Sequence, residues 1–117
     1  SCGYILYKED NSLLFTSDTY CCDSIIDTLN KNKEIKTLIT ETSFPSRFES
    51  LAYDSKHLTP KLLAKELDKI KRDDLTVHVM HLKPTYMDEL VKEIKDYNIL
   101  KNNGTIIDDN DIIYLKE

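Results

Sequence analysis

The 117-residue sequence predicts an α/β fold. Two patterns carry that expectation. Short β-branched apolar runs alternate along the chain with longer stretches whose apolar residues recur at helical spacing. The helical stretches are polar on their remaining positions, so each has one stripe to lay on a sheet. The chain is 40% hydrophobic, enough for one modest core and a single domain over residues 1–117.

The elements follow in order. Residues 4–7 read as a strand, 8–12 as a polar turn and 13–16 as a second strand, which together make a hairpin. Asp23 or Ser24 is placed to cap a helix that carries Ile25, Ile26 and Leu29 and fades in the polar run 30–33. Residues 35–40 read as a buried strand. Residues 41–45 are irregular and end on Pro45, which has no amide hydrogen to donate to a helix. Thr59-Pro60 is a helix start, with Thr as the cap and Pro as the first helical residue. Leu63, Leu67 and Ile70 then form one stripe. Residues 75–82 read as a strand. Thr85, with Asp88 three residues on, is expected to cap a helix bearing Met87, Leu90, Val91 and Ile94. Residues 104–108 and 111–115 read as a closing hairpin. The expected order is ββ-α-β-α-β-α-ββ.

Composition excludes several classes of function. Lys+Arg number 16 against 21 Asp+Glu, a net charge of −5, so a sequence-independent grip on nucleic acid is not expected. No run of 18 apolar residues is present, and neither a membrane span nor a secretory leader is expected. Cys2, Cys21 and Cys22 are odd in number and two are adjacent, which suits reduced thiols in a cytoplasmic protein. Gly3 and Gly104 are the only glycines, so no glycine-rich phosphate loop is available.

Polar residues at strand ends and helix starts are where chemistry concentrates. Asp18 follows the second strand, where a carboxylate suits a metal or caps a turn. Glu41 closes the third strand and could orient a histidine or sit in solvent. His57 lies just before the helix start at Thr59, and His81 ends a strand ahead of Lys83-Pro84. Each has an ordinary reading as a loop or partly buried structural residue.

The ordered set Phe15-Thr16-Ser17-Asp18-Thr19, Glu41-Thr42-Ser43-Phe44-Pro45, His57-Leu58-Thr59-Pro60 and His81-Leu82-Lys83-Pro84 resembles the C-terminal half of metallo-β-lactamase-fold phosphodiesterases. The class II 3′,5′-cyclic-nucleotide phosphodiesterases carry Gly-Asp-Thr, Glu-x-Ser-Phe, His-Leu-Thr-Pro and His-x-Lys-Pro segments, and transfer-RNA 3′-processing endonucleases share the skeleton more loosely. Ser17 stands here in place of the motif's glycine, and Tyr20-Cys21-Cys22 where a glycine-containing turn is usual. The resemblance implies half of an αββα sandwich and hydrolysis of cyclic AMP or cyclic GMP to 5′-nucleotides. It implies that Asp18 bridges two zinc ions and His81 binds one of them. It makes His57 a proton donor to the leaving oxygen, Glu41 the group that holds its tautomer and favours its protonated form, and Lys83 a phosphate contact.

The family's His-x-His-x-Asp-His signature does not occur here, and the only histidines are His57, His78 and His81. Catalytic zinc takes about three protein ligands, and Asp18 with His81 supplies two at most. The chain alone is therefore expected to be inactive: either a fragment of a larger enzyme that lacks its N-terminal half, which is the favoured expectation, or a natural half-domain that pairs with another chain, with a homodimer expected if the chain is stable by itself. Half a sandwich would leave an apolar sheet face and an open edge to be covered. The competing expectations are an RNA-processing phosphodiesterase of the same fold and a non-catalytic α/β interaction module.

Overall fold

A computed structural model describes residues 3–8, 11–16, 23–55, 57–80 and 84–107, with only the backbone and the Leu14 side chain in the first two segments. The chain runs β1 (Gly3–Lys8), β2 (Asn11–Thr16), α1 (Asp23–Lys31), β3 (Ile35–Glu41), α2 (Glu49–Ser55), α3 (Pro60–Leu67), β4 (Thr76–Met80), α4 (Met87–Asp96) and β5 (Ile106–Ile107). Two 3₁₀ turns, Ser46–Phe48 and Pro84–Tyr86, precede α2 and α4. The sheet order is β1-β2-β3-β4-β5. β1 and β2 pair antiparallel, and each later neighbour pairs parallel. The fold is mixed α/β, as the alternating periodicities require.

Strand alternation divides the core. Leu14, Leu38 and Val77 stand in register across three strands and cluster with Ile25 and Leu29 of α1. Val79 packs with Leu58, with Leu63 of α3, and with Ile94 and Ile99 around the end of α4. Ile39, Met80 and Ile107 alternate to the other side and form a separate cluster with no helix residue in it. They are 0%, 1% and 4% exposed within the single chain. The apolar face expected to be open is therefore buried at these three positions.

Three side-chain devices tie the layers. Arg72, its side chain 2% exposed, grips Asp74 with two nitrogens at 2.8 and 3.0 Å. The same guanidinium donates to the carbonyls of Leu29, Asn32 and Lys33 at 3.0–3.3 Å, which satisfies carbonyls at the carboxyl end of α1. Asn30 reaches the same loop, donating to the Lys69 carbonyl and accepting from the Lys71 amide. Lys69 bridges Glu66 of α3 and Asp23 of α1 at 2.5 and 3.6 Å.

The end of α4 closes by a Schellman pattern. Asn98 takes a left-handed φ of 54°, the Ile99 amide bonds the Ile94 carbonyl and the Asn98 amide bonds the Lys95 carbonyl. The turn into β5 uses Asn102 and Asn103 at φ 50° and 68°. Gly104 then passes so close to β4 that a Cβ there would lie 1.7 Å from the Val77 carbonyl oxygen.

Several expectations change. Ser46–Phe48 and Glu49–Ser55 form a 3₁₀ turn and α2, where the sequence reading placed no element; Ala52 is the only buried residue of α2, so the helix has no apolar stripe to read. Thr85 does not cap α4. It lies inside the Pro84–Tyr86 turn, and Tyr86 holds the cap position with no side-chain cap bond. Met87 is exposed for the same reason, while Leu90 and Ile94 carry the buried stripe. Ile70 packs from beyond the end of α3. The connection of the first hairpin narrows to residues 9–10, because Lys8 pairs with Asn11. The strand expected at 111–115, and with it the closing hairpin, lies outside the described residues, as do the last two residues of the strand expected to reach 82.

Two substitutions test this account by chemical denaturation. Gly104→Ala drives a methyl into backbone and should cost about 2 kcal/mol or more. Arg72→Lys keeps the charge but loses the fork, and should cost about 2 kcal/mol rather than be silent.

Candidate functional site

The parallel strands send their carboxyl ends to one edge of the sheet, where open α/β folds bind ligands. Thr16 ends β2, Glu41 ends β3 and Met80 ends β4, and these strands are neighbours. The chain leaving β3 is unusually polar for its depth: Glu41, Thr42 and Ser43 are all buried. Their partner is the loop before α3. The Leu58 carbonyl accepts from Thr42 Oγ1 at 2.9 Å and from the Ser43 amide at 3.3 Å. The His57 amide bonds the Ala52 carbonyl at 2.9 Å, so α2 holds the other end of that loop. Thr59 caps α3 as expected, its hydroxyl accepting from the Leu62 amide at 3.3 Å.

These bonds bring His57 against Glu41. Nδ1 of the imidazole lies 3.9 Å from Glu41 Oε1, and the two side chains are 26% and 8% exposed. The Phe44 ring meets the imidazole edge to face, with centroids 5.9 Å apart and planes at 66°. A carboxylate beside one ring nitrogen favours the tautomer with its proton there. The adjoining 3₁₀ turn is pinned from two helices. Ser46 accepts from the Lys61 amide at 3.2 Å and donates its own amide to Glu93 at 3.1 Å. Arg47 bonds Glu89 at 2.8 Å and lies 4.0 Å from the centre of the Phe48 ring, which packs on Tyr86.

Of the residues expected at the site, Glu41 and His57 are thus brought together. Asp18, His81 and Lys83 lie outside the described residues, as do Cys21 and Cys22. Among the described residues no group of three His, Cys, Asp or Glu side chains is placed to hold a metal ion. No described helix is long and apolar enough to cross a membrane. The sequence reading missed the part played by Thr42 and Phe44. A buried run of hydroxyl residues directly after an apolar strand was the available signal.

His78 belongs elsewhere. Its Nδ1 accepts from the Thr105 amide at 3.0 Å and lies 3.2 Å from Thr105 Oγ1, linking β4 to the entry of β5. Nδ1 as acceptor requires the neutral Nε2–H form. Burial pushes its pKa below the ordinary histidine value.

Neither models of known protein families nor the curated proteins give a match to the sequence. The functional reading therefore rests on the motifs and on this geometry.

The His78 environment has a measurable consequence. An imidazole with a depressed folded pKa adds stability above its unfolded value of about 6.5, and that stability is lost as pH falls below it. Urea midpoints should decline from neutral toward acidic pH, and His78→Gln should decline less steeply over the same window.

Proposed function

We propose that this chain supplies the proton-donating part of a metal-dependent phosphodiesterase that hydrolyses 3′,5′-cyclic nucleotides to 5′-nucleotides. The observation that carries the reading is the meeting of Glu41 and His57 at the carboxyl edge of the sheet. They belong to separate members of the four-motif series, and chance similarity of short motifs would not require them to converge. The strand order adds support. β2 and β4 flank β3, and Asp18 and His81 follow those two strands in sequence.

On this reading the chain's residues divide the work. His57 donates a proton to the departing 3′ oxygen, a task suited to an imidazole near neutral pH. Glu41 holds the ring through Nδ1–H, so that Nε2 faces the departing oxygen and carries the proton that is transferred to it. Lys83 contacts the phosphate. Asp18 and His81 are donors that zinc accepts, but two ligands do not complete a catalytic zinc site. The remaining ligands come from an N-terminal half of the fold bearing His-x-His-x-Asp-His, or from a partner subunit. Zinc, when bound, offsets charge on the phosphoryl oxygens. The acidic balance of the chain favours a small cyclic nucleotide over RNA as the anionic substrate. The odd cysteine count favours the cytoplasm.

Zinc content and turnover of cyclic AMP, measured on one sample, test the reading. The chain alone should hold fewer than the two zinc ions of a two-metal site and show no turnover. Addition of a segment carrying the missing histidines should restore both. In that complemented protein His57→Ala should lower kcat by about 10²–10⁴. Zinc loading without turnover, or turnover indifferent to His57, would overturn it.

A further inference from the structure

The geometry points to Thr42 as a positioning residue for His57. This goes one step past the proposed function and rests on it only for the use made of the imidazole. Thr42 is assigned this part on the strength of its bond to the backbone beside His57. It acts through the backbone: its buried hydroxyl donates to the Leu58 carbonyl at 2.9 Å, one residue beyond His57. Glu41 is fixed on the other side, one residue before Thr42, at the end of β3. The hydroxyl makes the shorter of the two bonds that tie together the two stretches of chain carrying the pair. The distance between Nδ1 and Oε1, 3.9 Å, is long for a direct bond. Small slips of the loop therefore decide whether the carboxylate controls the ring. The Ser43 amide reaches the same carbonyl at 3.3 Å, a longer bond that keeps the acceptor satisfied when the hydroxyl is removed. Thr42→Val, similar in shape, should therefore fold.

Nitrogen NMR at alkaline pH, where imidazoles are neutral, reads the tautomers of His57 and His78 in the full chain. In the native chain His57 should hold its proton mainly on Nδ1, facing Glu41, and His78 on Nε2. Thr42→Val should lower the Nδ1–H to Nε2–H ratio of His57 by about threefold or more, on the scale of one lost hydrogen bond. Thr42→Ser should restore it. His78 should stay unchanged in every variant and serves as the test of folding; Thr42→Ala is read the same way if the valine variant does not fold. An unchanged His57 ratio in a folded Thr42→Val or Thr42→Ala chain would overturn the assignment. So would an equal change at His78, which marks general loosening. Failure of the phosphodiesterase reading appears instead in zinc content and turnover, and leaves this result standing.

Discussion

Everything packed on the helix side of the sheet depends on where α1 ends, and Arg72 sets that point. A helix terminus leaves carbonyls without partners, and burying them beside β3 is costly unless something donates to them. Arg72 comes from the loop between α3 and β4, far along the chain, and supplies those donors while Asp74 neutralises its charge. Lys36 at the start of β3 shares Asp74 at 2.9 Å, so one carboxylate joins the loop, the end of α1 and the beginning of the next strand. The Arg72 and Lys36 bonds hold the Asp74 carboxyl well below the usual carboxylate range. The amino edge of the sheet is thereby locked by charge, whereas at its carboxyl edge the loops that carry Glu41 and His57 are joined by backbone and hydroxyl bonds.

That asymmetry suits the division of labour. A guanidinium grip gives rigidity but offers nothing to a ligand, because every donor is used. At the opposite edge the bonds that place Glu41 and His57 come from neutral partners, Thr42, Ser43 and Ala52. The 3₁₀ turn beside them is anchored by Glu89 and Glu93 of α4 and by the start of α3. The pair is thus braced by three helices without a second charge beside the imidazole among those bonds.

Much of the fold was legible in residue order. Ile25, Ile26 and Leu29 marked α1, and Thr59-Pro60 marked the start of α3, because capping and periodicity are local. Thr85 misled because a proline just before it made a 3₁₀ turn of the residues that a cap would have used. α2 was invisible because Ala52 alone faces inward, and one small residue has no period. At the site, residue type and position exposed Glu41 and His57. Their meeting depends on the Leu58 carbonyl, a backbone atom whose use no side-chain pattern reveals. Arg72 was equally unreadable, since its partners are carbonyls some forty residues earlier.

The plain numerical order of the strands has a consequence for how the chain is made. Each new strand is laid beside the one synthesised just before it, so no early strand waits with an open edge for a distant partner. The chain can grow its sheet outward in step with its emergence from the ribosome. The Glu41–His57 pair and the loop that joins them precede β4, α4 and β5 in chain order. The Arg72 grip arrives next and clamps α1 to the growing sheet. β5, two residues long among the described residues, pairs with β4 and plays no part in assembling the pair.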